Sequence, residues 1–449
     1  MEGLSIKLAE WATGLRFEDL PASTVKAAKA RLLDTMAVTW AGSDADGIRP
    51  IRDMLVEQGG RGDASVLAYG DRLPAGAAAM LNGAMGAALD FDGLHEESGV
   101  HTDIVVLPAA LALAEKQGAS GKELLTAVSA GEEILIRLGL STGTGPGWFF
   151  SSVFGVFGAA IAAGKVLALD AETINGALGV ALCHAGGSQQ NLVENRLTKR
   201  FQSGFAAQAG VTAAEMAAAG VGGPLQSLEG KFGLSTLFAP IDPAVLLDDL
   251  GSVFHMDQLT IKKYPSCFCN HAAIEAALQL TEAGDLDPAQ IESIEVRVPP
   301  FSERLVGEPF DAATATQVTA QFNIAYSVAC ALIRRRFTLA DIEIEAIRDS
   351  RVDGLAAKVR VVAEADNENR FAPVGLRIAL QSGACVEKRV EVLPGTPDNP
   401  LDAEAQRAKA KQCFAMGARP LGEPEAQRLM DRIAVLETLS ARDLLATLP

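Results

Sequence analysis

Along most of the chain, apolar residues recur at helical spacing. In PASTVKAAKARLLDTMAVTWAG, Val25, Ala28, Leu32, Leu33 and Met36 share a face; Pro21 and Ser23 open the segment and Gly42 closes it. PAGAAAMLNGAMGAAL reads as a second helix, made of small residues. VLPAALALAEKQG reads as a third, with Pro108 near its first turn and Gly118 as its stop. SGKELLTAVSAGEEILIRLG, SSVFGVFGAAIAAGKVLAL, DAETINGALGVALCHAGG and GFAAQAGVTAAEMAAAG continue the helical texture to about Pro265. Ala and Gly fill many apolar positions, so close backbone packing in a compact bundle is expected.

Past Asn270 the pattern changes. NHAAIEAALQLTEAG is an amphipathic helix, and IESIEVRVP alternates like a strand, with Ile294, Val296 and Val298 on one face. AQFNIAYSVACALIRRRF returns to helix. AAKVRVVAEAD, VGLRIALQSG and CVEKRVEVLPG are strand-like, and QSGAC supplies a hairpin turn between the last two. Four strands with interposed helices predict a small α+β domain over roughly residues 270–395. GTPDNPLDAE is a connector, and the tail from AEAQRAKAKQCFAMG onward is helical and expected to rejoin the bundle.

Composition narrows the functional classes. A chain of 449 residues suits two to four domains, and 49% hydrophobic residues can fill large cores. The formal net charge of −17 argues against nucleic acid as a partner. The one short basic cluster, Arg334-Arg335-Arg336, ends a helical pattern, where it complements the helix dipole. Six cysteines in so long a chain do not read as a disulfide framework and point to a reducing cytoplasm. The first residues lack a signal-peptide pattern. The most apolar stretch, Val153 to Leu169, carries Lys165 and reads as a buried helix, so no membrane partner is expected.

Two of the five histidines fall in ALDFDGLHEESGVHTD, with Asp90, Asp92, Glu96, Glu97 and Asp103. A zinc-protease helix needs a second His four residues after the first; Gly99 stands there after His95, so that motif fails. A His–carboxylate metal site, an acid/base centre and a solvated loop stay open. Histidine can take or give a proton at physiological pH, and a neighbouring carboxylate can orient it. TKRFQSG places Lys199 and Arg200 together, either as a surface pair or as a carboxylate clamp. Cys267-x-Cys269-x-His271 offers ligand types, but zinc would need a fourth from elsewhere. No Walker A loop, and no G-x-G-x-x-G after a strand, supports nucleotide chemistry.

Taken in order, LLDTMAVTWAG, AAMLNGAMGAALDFD, VLPAALALAE, GEEILIRLG, SVFGVFGAAIAAGKVL, TKRFQSGFAAQAG, LEGKFG, KKYPSCFCNHAAIEAAL, QFNIAYSVACAL and GTPDNPL resemble the MmgE/PrpD family. That family contains 2-methylcitrate dehydratases, cis-aconitate decarboxylases and iminodisuccinate epimerases. The resemblance implies a mainly α fold: an all-helical domain from residues 1–268 and 396–449, and a smaller α+β lid domain over 269–395. It also implies a homodimer, a carboxylate substrate bound between the domains, and no cofactor or metal.

Residue by residue, the resemblance places Asp90 on the first Asp of the Asp-Phe-Asp motif. His101, or His95 as the fallback, falls near the family's histidine. Lys199 falls on an active-site Lys and Arg200 on its neighbour. His271 falls on a hinge His and Tyr326 on a Tyr that reaches the site. A buried capping role for His271, and a tethered core hydroxyl for Tyr326, are the plainer alternatives. Arg137 matches a family Arg and equally fits a buried ion pair. Phe149-Phe150 stand where the family commonly has His, and Leu94 where it often has Thr. Both would change the substrate-binding surface and remove polar groups. The expected activity is a hydro-lyase acting by proton abstraction α to a carboxylate, with His101 as acid/base, Asp90 supporting it and Lys199 stabilising charge. Epimerisation, decarboxylation and a non-catalytic binding dimer are the alternatives.

Overall fold

The computed structural model describes residues 3–143, 147–284, 286–446 and 448. Two compact units emerge. One comprises Met1–Ala88, Asp92–Ile261 and Ala403–Pro449; the other comprises Leu89–Phe91 and Lys262–Asp402. The smaller unit thus runs from Lys262 to Asp402 and takes in Leu89, Asp90 and Phe91, so the Asp-Phe-Asp motif is divided between the two units. A buried ion pair between Lys262 and Asp90 ties those pieces together.

The larger unit is helical. Its main helices are Leu4–Gly14, Ala22–Ala41, Ala75–Ala87, Asp103–Gln117, Gly121–Thr142, Gly155–Val166, Ala171–His184 and Thr198–Ala218, with Ala403–Phe414 and Glu423–Ala434 contributed by the C-terminal return. Ser120 and Glu123 form a capping box at the start of Gly121–Thr142. Gly118 closes Asp103–Gln117 in the left-handed region, at φ 73°. Small residues set the packing. A Cβ on Gly83 would stand 3.0 Å from the Gly204 Cα, so Ala75–Ala87 and Thr198–Ala218 approach backbone to backbone. Trp40, Phe154 and Phe157 are fully buried among the aliphatic core.

The smaller unit holds a four-stranded sheet ordered Val359–Ala363, Ile291–Val298, Val374–Leu380, Cys385–Val390. The first pair is parallel and the other two are antiparallel. Ile294, Val296 and Val298 are buried, as their alternation predicts. The QSGAC turn closes the hairpin, with Gly383 at φ 84°. Helix Phe268–Ala283 packs on this sheet, and Ile324–Arg334 packs on that helix.

A buried ion pair anchors the C-terminal return: Lys409 Nζ lies 2.7 Å from Asp34 Oδ1 on helix Ala22–Ala41. Burial pushes the Asp34 carboxyl up to about 6 despite Lys409. Between its ordinary value and about 6, the folded chain keeps a proton that the unfolded chain has released. This group's contribution therefore falls as pH rises through that window, by about 3 kcal/mol. Urea unfolding of Asp34→Asn from pH 4 to 6 is expected to show a flatter pH slope than the native chain. Matching slopes would remove Asp34 from the pH dependence.

Candidate acid–base site

In the larger unit, His101 sits at the end of the loop that leads into helix Asp103–Gln117. Its Nδ1 lies 2.7 Å from Asp92 Oδ2 and 3.1 Å from the Gly93 carbonyl. Both partners are acceptors, so Nδ1 carries the proton and the Nε2 lone pair is left for chemistry. Asp92 is almost fully buried, whereas the His101 side chain keeps 19% exposure. Solvent or a small molecule can thus meet the ring while its partner stays fixed. The His101 backbone N–H donates to Ser151 Oγ at 3.0 Å. The segment that has Phe149-Phe150 in place of a histidine therefore still braces this loop. Phe150 stacks on Phe154 with centroids 4.7 Å apart.

Asp90 belongs to the smaller unit, where it pairs with Lys262. It adopts φ 51°, a left-handed conformation that Asp tolerates better than most residues. Lys262 Nζ donates to its backbone carbonyl at 2.8 Å and to Oδ2 at 3.0 Å. Lys262 is wholly buried in the smaller unit. It is not singled out in the sequence. The available signal was indirect: an Asp inside the apolar run ALDF needs a cation if it is buried.

His95, the fallback base, is buried in the larger unit. Its Nδ1 accepts from the Ser98 N–H at 3.2 Å. Burial, then the nearby His255, lowers its pKa to about 4. A base so weak is poorly matched to proton abstraction near neutral pH.

Lys199 is half-buried in the first turn of helix Thr198–Ala218. That turn holds no acidic residue, and a cation beside a helix N-terminus makes a positive site suited to a carboxylate. Arg200 follows Lys199 in the same helix. It is buried, and its Nη1 donates to the Asp46 carbonyl at 2.7 Å. Leu94 is buried in a two-residue strand against Leu259–Thr260. Phe149 is partly exposed, and its N–H donates to the Gly187 carbonyl.

A pocket of about 550 Å³ opens beside Trp148, Ser152, Thr198, Gln202 and Phe205. Neither His101 nor Lys199 lines it.

Tyr326 and His271 belong to the smaller unit. The Tyr326 hydroxyl is buried and donates to the Asp341 carbonyl, while the ring packs against Phe310 and Phe337. His271 is fully buried between Tyr264 and Phe268, with Nε2 3.3 Å from the Ser266 carbonyl. The Tyr326 hydroxyl and the His271 Nε2 each meet a backbone carbonyl of this unit. In the larger unit, Arg137 is structural: it pairs with Glu133 at 2.8 Å and donates to the Asp248 carbonyl. Among the described residues, no three His, Cys, Asp or Glu side chains are grouped to hold a metal, and all six cysteines are free thiols. No helix among them is long and apolar enough to cross a membrane.

The helical unit, with its carboxylate-anchored histidine, makes this a mainly α protein. The chain belongs to the MmgE/PrpD family: the N-terminal domain of that family matches residues 6–245 and the C-terminal domain matches residues 264–438. It is similar to the cis-aconitate decarboxylase of Aspergillus terreus strain NIH 2624, with 28% identity over 87% of this chain and 85% of the relative. It is also similar to the human cis-aconitate decarboxylase, at 27% identity over 97% and 92% of the two chains. A cis-aconitate decarboxylase-like protein of Aspergillus oryzae is 27% identical, over 97% and 95%.

Proposed function

We infer that this protein is a cofactor-independent lyase acting on a di- or tricarboxylate. The observation that carries the reading is the Asp92–His101 pair, whose Nε2 is a positioned proton acceptor and donor. Lys199, at a helix N-terminus, would neutralise the substrate carboxylate beside the reacting carbon as negative charge develops there.

Two outcomes share this apparatus. In a hydro-lyase, His101 takes the proton α to the carboxylate and hydroxide leaves from the neighbouring carbon. In a carboxy-lyase, carbon dioxide departs, its bonding pair stays on carbon, and His101, first protonated at Nε2 from solvent, delivers that proton to the resulting carbanion. The relatives' names favour the carboxy-lyase outcome over the hydro-lyase first expected. Phe149 and Leu94 in place of polar groups favour a reaction with less need for leaving-group assistance. Epimerisation, which returns the proton on the opposite face, remains the second reading on that same ground.

The test is incubation with a panel of di- and tricarboxylates, cis-aconitate included, in deuterated water, followed by NMR. The expected result is turnover or deuterium incorporation with at least one member, reduced about 100-fold by Lys199→Ala, the typical loss for one charge-stabilising donor. Net loss of carbon dioxide, net loss of water and exchange alone separate the three outcomes. No exchange and no turnover across the panel would reject the enzyme reading in favour of a non-catalytic binding protein.

The homodimer is part of the same reading. Phe205, Val221, Leu225, Phe232 and Leu237 are exposed apolar residues in one stretch of the helical unit, which a second copy would cover. Sedimentation at micromolar concentration should give twice the chain mass. A monomer mass would reject it.

A further inference from the structure

Behind His101 lies a buried ionic layer that the proposed reaction does not itself use. Arg31, on helix Ala22–Ala41, places Nε 3.3 Å from Asp103 Oδ1 and Nη2 2.7 Å from Glu132 Oε2. None of the three side chains exceeds 4% exposure. Asp103 opens helix Asp103–Gln117, two residues after His101. Its carboxylate also packs against Gly93: a Cβ added there would meet Asp103 Oδ2 at 3.3 Å and collide with the Thr260 carbonyl. Gly93 follows Asp92, and its carbonyl is the second acceptor at His101 Nδ1. Asp103 thus lies two residues after His101 and beside the glycine whose carbonyl meets its Nδ1.

We propose that Arg31, Asp103 and Glu132 form a positioning layer for His101, holding Asp92 and the Gly93 carbonyl at its Nδ1. The inference rests on His101 being the acid/base group. The charged groups facing the layer are Asp34 and Lys409 from the paired helices, Asp92 from the loop, and Asp257. With so many carboxylates around two cations, burial and then Glu132 hold the Asp103 carboxyl well above the usual range. A protonated Asp103 hydrogen-bonded toward Glu132 leaves one negative charge against Arg31, which avoids burying an uncompensated charge. An Asn at position 103 mimics that neutral acid in shape and in hydrogen bonding. An Ala removes the support under Gly93.

The test needs no substrate. The His101 Nδ1–H proton can be observed by NMR and assigned by its absence in His101→Gln, in a chain with only five histidines. In Asp103→Ala its exchange with water is expected to accelerate about tenfold, within the range of couplings between residues of one network. Asp103→Asn should restore native exchange. Thermal unfolding of each variant checks that the chain is folded. If Asp103→Ala does not fold, Arg31→Lys is read instead, since it keeps the charge but loses the two-pronged grip. The same acceleration is expected there. Native exchange in a folded Asp103→Ala or Arg31→Lys would overturn the proposal. A loosened His101 bond alongside a silent carboxylate panel would uphold the layer and reject the enzymatic reading alone.

Discussion

His101→Gln is expected to lower turnover by about 10²- to 10⁴-fold, the usual contribution of a positioned acid/base group. Glutamine can still donate an amide N–H to Asp92, so the loop need not rearrange. It cannot accept or return a proton at the place where Nε2 stands, and chemistry should suffer more than binding. Asp92→Asn should act through the same atom. Its amide would favour a lone pair on Nδ1, moving the proton to Nε2 and occupying the site of abstraction. His95→Gln is the control: His95 is buried, bonded to Ser98 and a weak base, so turnover should change little. Steady-state kinetics of the three variants on the substrate found by the panel decide the assignment. Near-native rates in His101→Gln with a large loss in His95→Gln would transfer the role to His95.

That pairing shows where the sequence was readable and where it was not. Periodicity, proline and glycine stops, and the Ser120–Glu123 capping box are local signals, and the helices they mark are present. The QSGAC hairpin was legible for the same reason. Helix Thr198–Ala218 starts before the Gly204 expected, because Leu197 precedes it and no side-chain cap marks the start. Lys199 therefore lies in a first turn and not in a loop.

The Asp-Phe-Asp motif was ambiguous for a different reason. Its two carboxylates are two residues apart, and one backbone dihedral decides where each goes. The left-handed turn at Asp90 sends that residue to Lys262, while Asp92 goes to His101. No propensity encodes this choice. Tyr326 and Arg200 illustrate a complementary limit. Residue type announced a possible function, but only the three-dimensional path shows that Asp341 and Asp46 carbonyls already take their donors. Lys262 was the harder omission. Asp90 called for a cation, yet with 39 Lys and Arg residues its partner lies 172 positions away.

That distant pair carries the largest expected stability effect. Lys262→Met should destabilise the smaller unit by about 3–5 kcal/mol, because it removes one partner of a buried ion pair. The backbone carbonyl of Asp90, held in a left-handed conformation, loses a donor in the same step. Asp90→Asn alone should also cost stability, since it leaves the Lys262 ammonium buried. The double variant Asp90→Asn/Lys262→Met removes both charges and should recover much of the loss, giving a strongly non-additive cycle. Tryptophan fluorescence is the wrong probe: Trp11, Trp40 and Trp148 all lie in the larger unit. Hydrogen exchange read on peptides from residues 262–402 follows the sheet directly, and protection there should fall by two orders of magnitude or more in Lys262→Met, as the ~3–5 kcal/mol loss requires. A loss below about 1 kcal/mol would place the pair with exposed ion pairs and reject a buried, charge-balanced anchor.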